Sequence, residues 1–306
     1  MAQPTVSIVI PAYNREGQIE RAIQSVLDQD IDNIEILVID DCSKDNTVAV
    51  VESITDNRVT LIKHAKNKGE AGARNTGVKA AKGTYVAYLD SDDYWLPDKL
   101  KAQLDVMGSA PDDVGGVYTL HQRLYQNGKI SVAGATSDEV TFTSMLTKGT
   151  SISAGNTLLF KRDLFEKVGD YDEKAPLYVD WDWLLRFLKI ARLVRIDEPY
   201  AVYEKNPYYR PGTLLETARD IFIEKFKQDI DALTPQKRRE CLSRINLDIA
   251  RGYAENESKR KALSYYWKAI TLKPSMSAGS YLNMIDGLTG LNFLPYIDSW
   301  YRSARR

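Results

Sequence analysis

Between Val6 and Leu89 the chain alternates short apolar, β-branched runs with stretches whose apolar residues recur at helical spacing. Near-continuous apolar runs are strands buried on both faces, which requires a parallel sheet covered by helices. Val6-Ser7-Ile8-Val9-Ile10 reads as a first strand ending at Pro11, and Ile19, Ala22, Ile23, Val26 and Leu27 share one helical face. Ile34 to Ile39, Val59 to Ile62 and Tyr85 to Leu89 read as further strands, with helices over 45–54 and 70–81 between them. The expected class is α/β, Rossmann-like, with a mostly parallel central sheet flanked by helices.

Ligands of open parallel sheets collect at the carboxyl ends of the strands. Three polar groups stand at such ends: Ala12-Tyr13-Asn14, Asp40-Asp41 and Asp90-Ser91-Asp92-Asp93. The spacing places a helix after Pro97, with Pro97 as its first residue, then mixed structure over 114–160 with a turn at Asn127-Gly128. Beyond Pro211-Gly212 the pattern is helical almost throughout, so the expected division is an α/β domain over 1–212 and a helical region over 213–306. The stretch from Lys261 to Pro274, with Leu263, Tyr266 and Ile270 on its apolar face, resembles one tetratricopeptide helix; no second copy accompanies it.

The formal net charge is −1, which argues against a general nucleic-acid surface. Cys42 and Cys241 have neither disulfide-framework nor zinc-ligand spacing. No signal-peptide pattern opens the sequence and no run of about 18 apolar residues could span a bilayer. The expected location is cytoplasmic, at most peripheral to a membrane.

Three carboxylates in the four residues Asp90 to Asp93 repel one another unless water or a cation neutralises them. Oxygen ligands without His or Cys favour Mg2+ or Mn2+, which keep waters and bridge to substrate phosphates. An isolated acidic triplet is more often a solvated turn capping the next helix; the strand-end position reverses that weighting. Asp40-Asp41 suits a ribose hydroxyl or a base imide, or else a turn bonding its own backbone. Lys66-Asn67-Lys68-Gly69 with Arg74-Asn75 suits a diphosphate at a helix start, although Glu70 also stands at ion-pair spacing from Arg74. Asp180 precedes an apolar helical pattern and is a natural N-cap. His64 and His121 are expected to be structural.

The blocks 6–14, 38–43, 72–77 and 88–93, taken in order, resemble the inverting glycosyltransferases of family 2, which have the GT-A fold. Leu158 to Gly169, Tyr171-Asp172-Glu173 and Val179-Asp180-Trp181-Asp182 are similar to that family's acceptor-side and base segments. The resemblance covers roughly residues 4 to 205. It implies that Pro11, Ala12 and Tyr13 border the donor nucleotide, that Asp41 contacts uracil with Asp40 beside it, and that Arg74 lies near the nucleotide or diphosphate. It further implies that Asp90 and Ser91 are on the donor side, that Asp92 is the metal ligand, and that Asp180 is the general base. Val179 stands where the family often has glutamate. The implied reaction takes a sugar from a nucleotide-diphosphate donor, a UDP-sugar being the expected one, to a hydroxyl of a saccharide or lipid-linked saccharide, as in bacterial surface polysaccharide synthesis. Arg302, Arg305 and Arg306 would then meet anionic lipid, or form a solvated basic end. The alternatives are a sugar nucleotidyltransferase and a non-catalytic scaffold whose helical tail binds a partner.

Overall fold

A computed structural model describes residues 3–134, 140–149, 152–205, 210–256 and 258–274. The chain divides into two compact units, one of residues 1–142, 150–174 and 179–206, the other of 143–149, 175–178 and 207–306. The elements run β1 (Val6–Ala12), α1 (Ile19–Leu27), β2 (Ile34–Asp40), α2 (Thr47–Ser53), β3 (Val59–Lys63), α3 (Gly69–Ala80), β4 (Tyr85–Tyr88) and β5 (Tyr94–Trp95). There follow α4 (Lys99–Ser109), β6 (Val114–Tyr125), β7 (Ile130–Ala133), α5 (Phe142–Lys148), α6 (Ala154–Thr157), β8 (Leu158–Lys161) and α7 (Leu164–Val168). The remaining elements are α8 (Val179–Leu188), β9 (Arg192–Lys205), α9 (Gly212–Lys225), α10 (Lys227–Asp231), α11 (Pro235–Asn256) and α12 (Lys259–Leu272).

In the first unit the strands form one mixed sheet in the order β3-β2-β1-β4-β8-β6-β9-β5, with β7 on β6. Strands β1 to β4 are mutually parallel, as the apolar runs require; β8 joins β4 antiparallel, and β6 and β9 run parallel to each other. The parallel half puts Ala12 beside Asp40 in register, so the ends of β1 and β2 open at one edge. Ile19, Ala22, Ile23 and Val26 of α1 are buried on this sheet, as their spacing predicts.

Helix α4 begins at Lys99, not at Pro97. Leu96 N–H donates to Tyr200 O at 2.8 Å, which holds the chain against β9, and Asp98 turns left-handed at φ 65° before the helix can start. The Asn127-Gly128 turn is present, with Gly128 at φ 75°.

In the second unit, α11 buries Cys241, Ile245, Ile249, Ala250 and Tyr253, and α12 buries Ala262, Tyr265, Tyr266 and Ala269. The buried face of α12 is thus turned from the expected one: Leu263 is 51% exposed. Small Ala262 and Ala269 allow close approach, and Glu216 of α9 accepts hydrogen bonds from Tyr253 Oη at 2.6 Å and Tyr265 Oη at 2.5 Å. A carboxylate satisfied by two tyrosines from two helices sets the rotation, which apolar spacing alone does not reveal.

The start of α3 is braced from another strand. Lys68, its N-cap, makes no side-chain capping bond. Asp41, one residue past β2, accepts instead from Lys68 N–H and Gly69 N–H, both at 2.8 Å, and its Oδ1 also meets His64 Nδ1 at 2.7 Å. A carboxylate at a helix N-terminus also meets the positive end of the dipole. Replacing Asp41 by Ala strands two amides and the imidazole, so unfolding in urea should move to lower midpoint with unchanged slope, a loss of about 2 kcal/mol. An unaltered midpoint would show that the brace is idle.

Candidate active site

The loops that follow β1 and β2 are stitched together. Asp41 N–H donates to Ala12 O at 2.8 Å, Asn14 N–H to Ser43 Oγ at 3.0 Å, and Lys44 N–H to Asn14 Oδ1 at 2.8 Å. Asn14 and Cys42 both take left-handed backbone, φ 53° and 69°, which asparagine tolerates better than most residues. Pro11 is half-buried and Ala12 buried, while Tyr13 stands 44% exposed. Asp40 is buried; its Oδ2 accepts from Ser43 N–H at 3.2 Å, and its Oδ1 has no partner among the described residues. Of the acidic pair, therefore, Asp40 keeps a spare acceptor and Asp41 is spent on α3.

The helix start expected to receive a diphosphate is occupied by that same Asp41, and Asn67 Oδ1 also accepts from Gly69 N–H at 3.1 Å. Asn75 is likewise engaged: it bonds Tyr171 N–H and O at 2.8 and 3.0 Å, and Glu173 Oε1 at 3.0 Å. His64 sits between Asp41 and Thr76 Oγ1, the latter at 2.9 Å from Nε2. It stands one residue past β3, so the strand-end argument applied to the third strand would have picked it out.

The acidic loop after β4 splits into two roles. Asp93 is fully buried; it accepts from Glu204 N–H at 2.8 Å and from Asn156 Nδ2, which pins the loop to β9 and α6. Asn156 O accepts from Trp95 Nε1 at 3.0 Å, so Trp95 is a core residue. Ser91 is buried. Asp92 is about a quarter exposed; Arg15 Nη2 lies 3.5 Å from its Oδ2, and Arg21 Nη2 donates to its carbonyl at 3.0 Å. Asp90 faces Gly155 so closely that a Cβ there would fall 2.2 Å from Oδ2. Burial pushes the Asp90 carboxyl up, Arg74 pulls it down, and Glu70, Asp180 and Asp92 push it up again. Asn156 and Gly155 carry no local sequence signal; antiparallel pairing of β8 with β4 brings them here.

Arg74 joins this loop to α8. Its side chain is 1% exposed; Nη2 meets Asp90 Oδ1 at 3.0 Å and Glu70 Oε1 at 2.6 Å, and Nη1 meets Asp180 Oδ1. The ion pair with Glu70 predicted from spacing is present, as one of three. Tyr88 and Tyr171 rings lie 5.3 and 5.7 Å from the guanidinium carbon. Asp180 is in the first turn of α8, one residue inside the helix, near the positive end of its dipole. Asp182 is tied to Arg186 at 2.8 Å, and Arg186 also binds the carbonyls of Val168, Gly169 and Asp170. Asp180 and the acidic loop, distant in sequence, thus share one guanidinium.

Among the described residues no group of three or more His, Cys, Asp or Glu is arranged to hold a metal by itself. The side chains present are compatible with Mg2+ or Mn2+ in a different way: Asp92 has a partly exposed carboxylate that could serve as one oxygen ligand, and such ions take waters and substrate phosphates for the rest.

The chain is 32% identical over 200 residues to the Escherichia coli UDP-Glc:alpha-D-GlcNAc-diphosphoundecaprenol beta-1,3-glucosyltransferase WfaP, covering 65% of this chain and 77% of that protein. It is 48% identical over 102 residues to the enzyme of the same description from E. coli, WfgD, covering 33% of this chain and 40% of that one. Two solved structures share its fold, the GT-A arrangement. One is S. aureus TarS 1-349 in complex with UDP, with TM-score 0.62, 21% identity, and coverage of 92% of this chain and 88% of that one. The other is the mannosyltransferase PcManGT from Pyrobaculum calidifontis in complex with GDP-Man and Mn2+, with TM-score 0.60, 19% identity, and coverage of 98% and 83%. The family described as Glycosyl transferase family 2 matches residues 7–169, a stretch that includes the loops after β1, β2 and β4 and all of α3; the chain belongs to that family and is a glycosyltransferase.

Proposed function

We propose that the protein transfers a sugar from a UDP-sugar to a hydroxyl of a saccharide or lipid-linked saccharide, with inversion at the anomeric carbon. The observation that carries this reading is the meeting of Asp180 with the Asp90 loop across Arg74. It sets a proton acceptor beside the strand ends, where a nucleotide is expected. The description of WfaP, a transferase using UDP-Glc and a diphosphoundecaprenol-linked sugar, supports the donor and acceptor classes. Family membership favours transfer over the sugar-nucleotidyltransferase alternative.

Pro11, Ala12, Tyr13, Asp40 and Ser91 line the nucleotide, with Tyr13 as the exposed ring; Asp41 acts by fixing the adjoining loop. The acceptor oxygen attacks the anomeric carbon while the bond from that carbon to the diphosphate oxygen breaks. The acceptor proton passes to an oxygen of Asp180. Asp92 would hold Mg2+ or Mn2+, which supplies Lewis-acid stabilisation of the departing diphosphate when bound. Arg15, partly exposed beside Asp92, is placed to meet the same negative charge.

The acceptor class suggests contact with a membrane. Arg302, Arg305 and Arg306 lie outside the described residues. Within them, α12 carries four basic residues, Lys259, Arg260, Lys261 and Lys268, and no acidic one. On its outer face Trp267 and Leu263, one turn apart, are 69% and 51% exposed. A basic helix presenting an aromatic and a leucine suits the surface of an anionic bilayer.

Asp180→Asn should reduce transfer about 100-fold or more while nucleoside diphosphate binding stays near normal. Turnover close to wild type in that variant would remove Asp180 as the base. A donor panel read by released nucleoside diphosphate identifies the sugar and separates transferase from inert scaffold. In calorimetry with Mn2+, Asp92→Ala should weaken UDP binding about tenfold or more; equal binding with and without metal in the wild type would end the metal assignment. Vesicles containing phosphatidylglycerol should sediment the protein, and Leu263→Ala with Trp267→Ala should reduce this; equal recovery on neutral vesicles would count against the α12 surface.

A further inference from the structure

Arg74 is the cation nearest Asp180, and its surroundings decide what it can serve. Both terminal nitrogens rest on carboxylates, Nη1 on Asp180 and Nη2 on Asp90 and Glu70, and the side chain is 1% exposed. Nε has no partner among the described residues but is buried, so the guanidinium has no solvent-facing nitrogen on which a diphosphate could settle. Arg15, by contrast, is 38% exposed beside Asp92.

The same groups that immobilise Arg74 also immobilise the helix that carries Asp180. Tyr88 and Tyr171 lie against the guanidinium and meet each other edge-on at 6.0 Å. Trp183, on α8 with Asp180, stacks on Tyr171 at 5.1 Å and an interplanar angle of 17°. Asn75, the next residue after Arg74, bonds the backbone of Tyr171 in both directions. Arg74 and Asp180 thus share one aromatic bed, fixed from α3 on one side and from α8 on the other. The guanidinium is planar, so with Nη2 held by Asp90 and Glu70 the direction of Nη1, and with it the Asp180 oxygen it meets, is set.

We infer that Arg74 is a positioning residue for Asp180, holding that carboxylate oriented as proton acceptor and tying it through Asp90 to the donor-side loop, and that it is not a ligand of the diphosphate. The inference rests on the reading of Asp180 as the general base. It departs from the role the family resemblance implies for this arginine.

The test compares Arg74→Lys, Arg74→Gln, Asp180→Asn and the Arg74→Gln/Asp180→Asn pair. The readouts are kcat and KM for the donor found by the panel, hydrolysis of UDP-glucose and UDP-N-acetylglucosamine, and UDP affinity by calorimetry. Arg74→Gln should lower kcat about 100-fold with UDP affinity within about threefold of wild type. Arg74→Lys, a charge without the fork, should recover part of that loss. The double variant should be no slower than Asp180→Asn alone, because a group acting only through Asp180 has nothing left to act on. Losses that multiply in the double variant overturn the inference. So does UDP affinity falling more than about tenfold in Arg74→Lys with kcat intact, the mark of a phosphate ligand. Near-UV circular dichroism of the buried aromatic residues reports whether each variant folds. If Arg74→Gln does not, Arg74→Lys decides alone by the split between kcat and UDP affinity. Should Asp180→Asn keep wild-type turnover, the base reading fails separately, whatever UDP affinity shows.

Discussion

A guanidinium with 1% of its surface exposed is tolerable only where carboxylates surround it, and Arg74 has three. Removing an arginine from water costs several kcal/mol, recovered only by close, well-directed pairing. That requirement ties four pieces of chain together: α3, which carries Arg74 and Glu70; the loop after β4, which carries Asp90; the first turn of α8, which carries Asp180; and the Tyr171 segment, which covers the guanidinium face. Displacing any one of them leaves a buried charge short of a partner. The site is therefore stiff at the point where the proposed reaction needs a fixed distance between proton acceptor and leaving group.

Around this centre the acidic residues divide by what they bond. Asp41 is consumed by two backbone amides and a histidine, and Asp93 by Asn156 and the Glu204 amide. These two hold loops in place. Asp92, about a quarter exposed, Asp90 and Asp180, each about a third exposed, and Asp40 with its unused oxygen are the carboxylates to which the proposal gives ligand-facing roles. Neighbouring residues of the same type thus do different work, and the difference lies in which backbone amides happen to lie within reach.

That division marks the limit of what was legible in the chain. The parallel half of the sheet was readable because its strands are apolar on both faces and its helices keep a clean period, and the strand-end rule then pointed to Ala12, Asp40 and Asp90. These signals are local. The carboxylate of Asp41 reaches residues 68 and 69, Asn156 reaches Asp93, and Arg74 reaches Asp180, all across intervening helices and strands; no spacing in the sequence encodes them. The turned face of α12 has the same cause, since Tyr265 points inward to meet Glu216 on another helix. Pro97 misled for a nearer reason: Asp98, in left-handed backbone, interrupts the helix that the proline would otherwise begin.

The balance of charge around Arg74 bears on why a cation belongs in the proposed reaction. One buried guanidinium faces Glu70, Asp90 and Asp180, and Asp92 stands beside the same loop with Arg15 opposite. Four carboxylates thus stand close to the two guanidinium groups of Arg74 and Arg15, and burial together with its acidic neighbours pushes the Asp90 carboxyl up. A nucleoside diphosphate brings further negative charge to this floor. At separations of a few ångströms and an effective dielectric near 20, each unit repulsion amounts to about 4 kcal/mol. Arg15 would offset part of this; a divalent ion held by Asp92 would offset more, by supplying two positive charges beside the leaving group as it gains negative charge. Arg74 cannot take that part while its nitrogens serve three carboxylates. The acid-rich loop and the buried arginine thus point to separate tasks, one for the departing diphosphate and one for the proton.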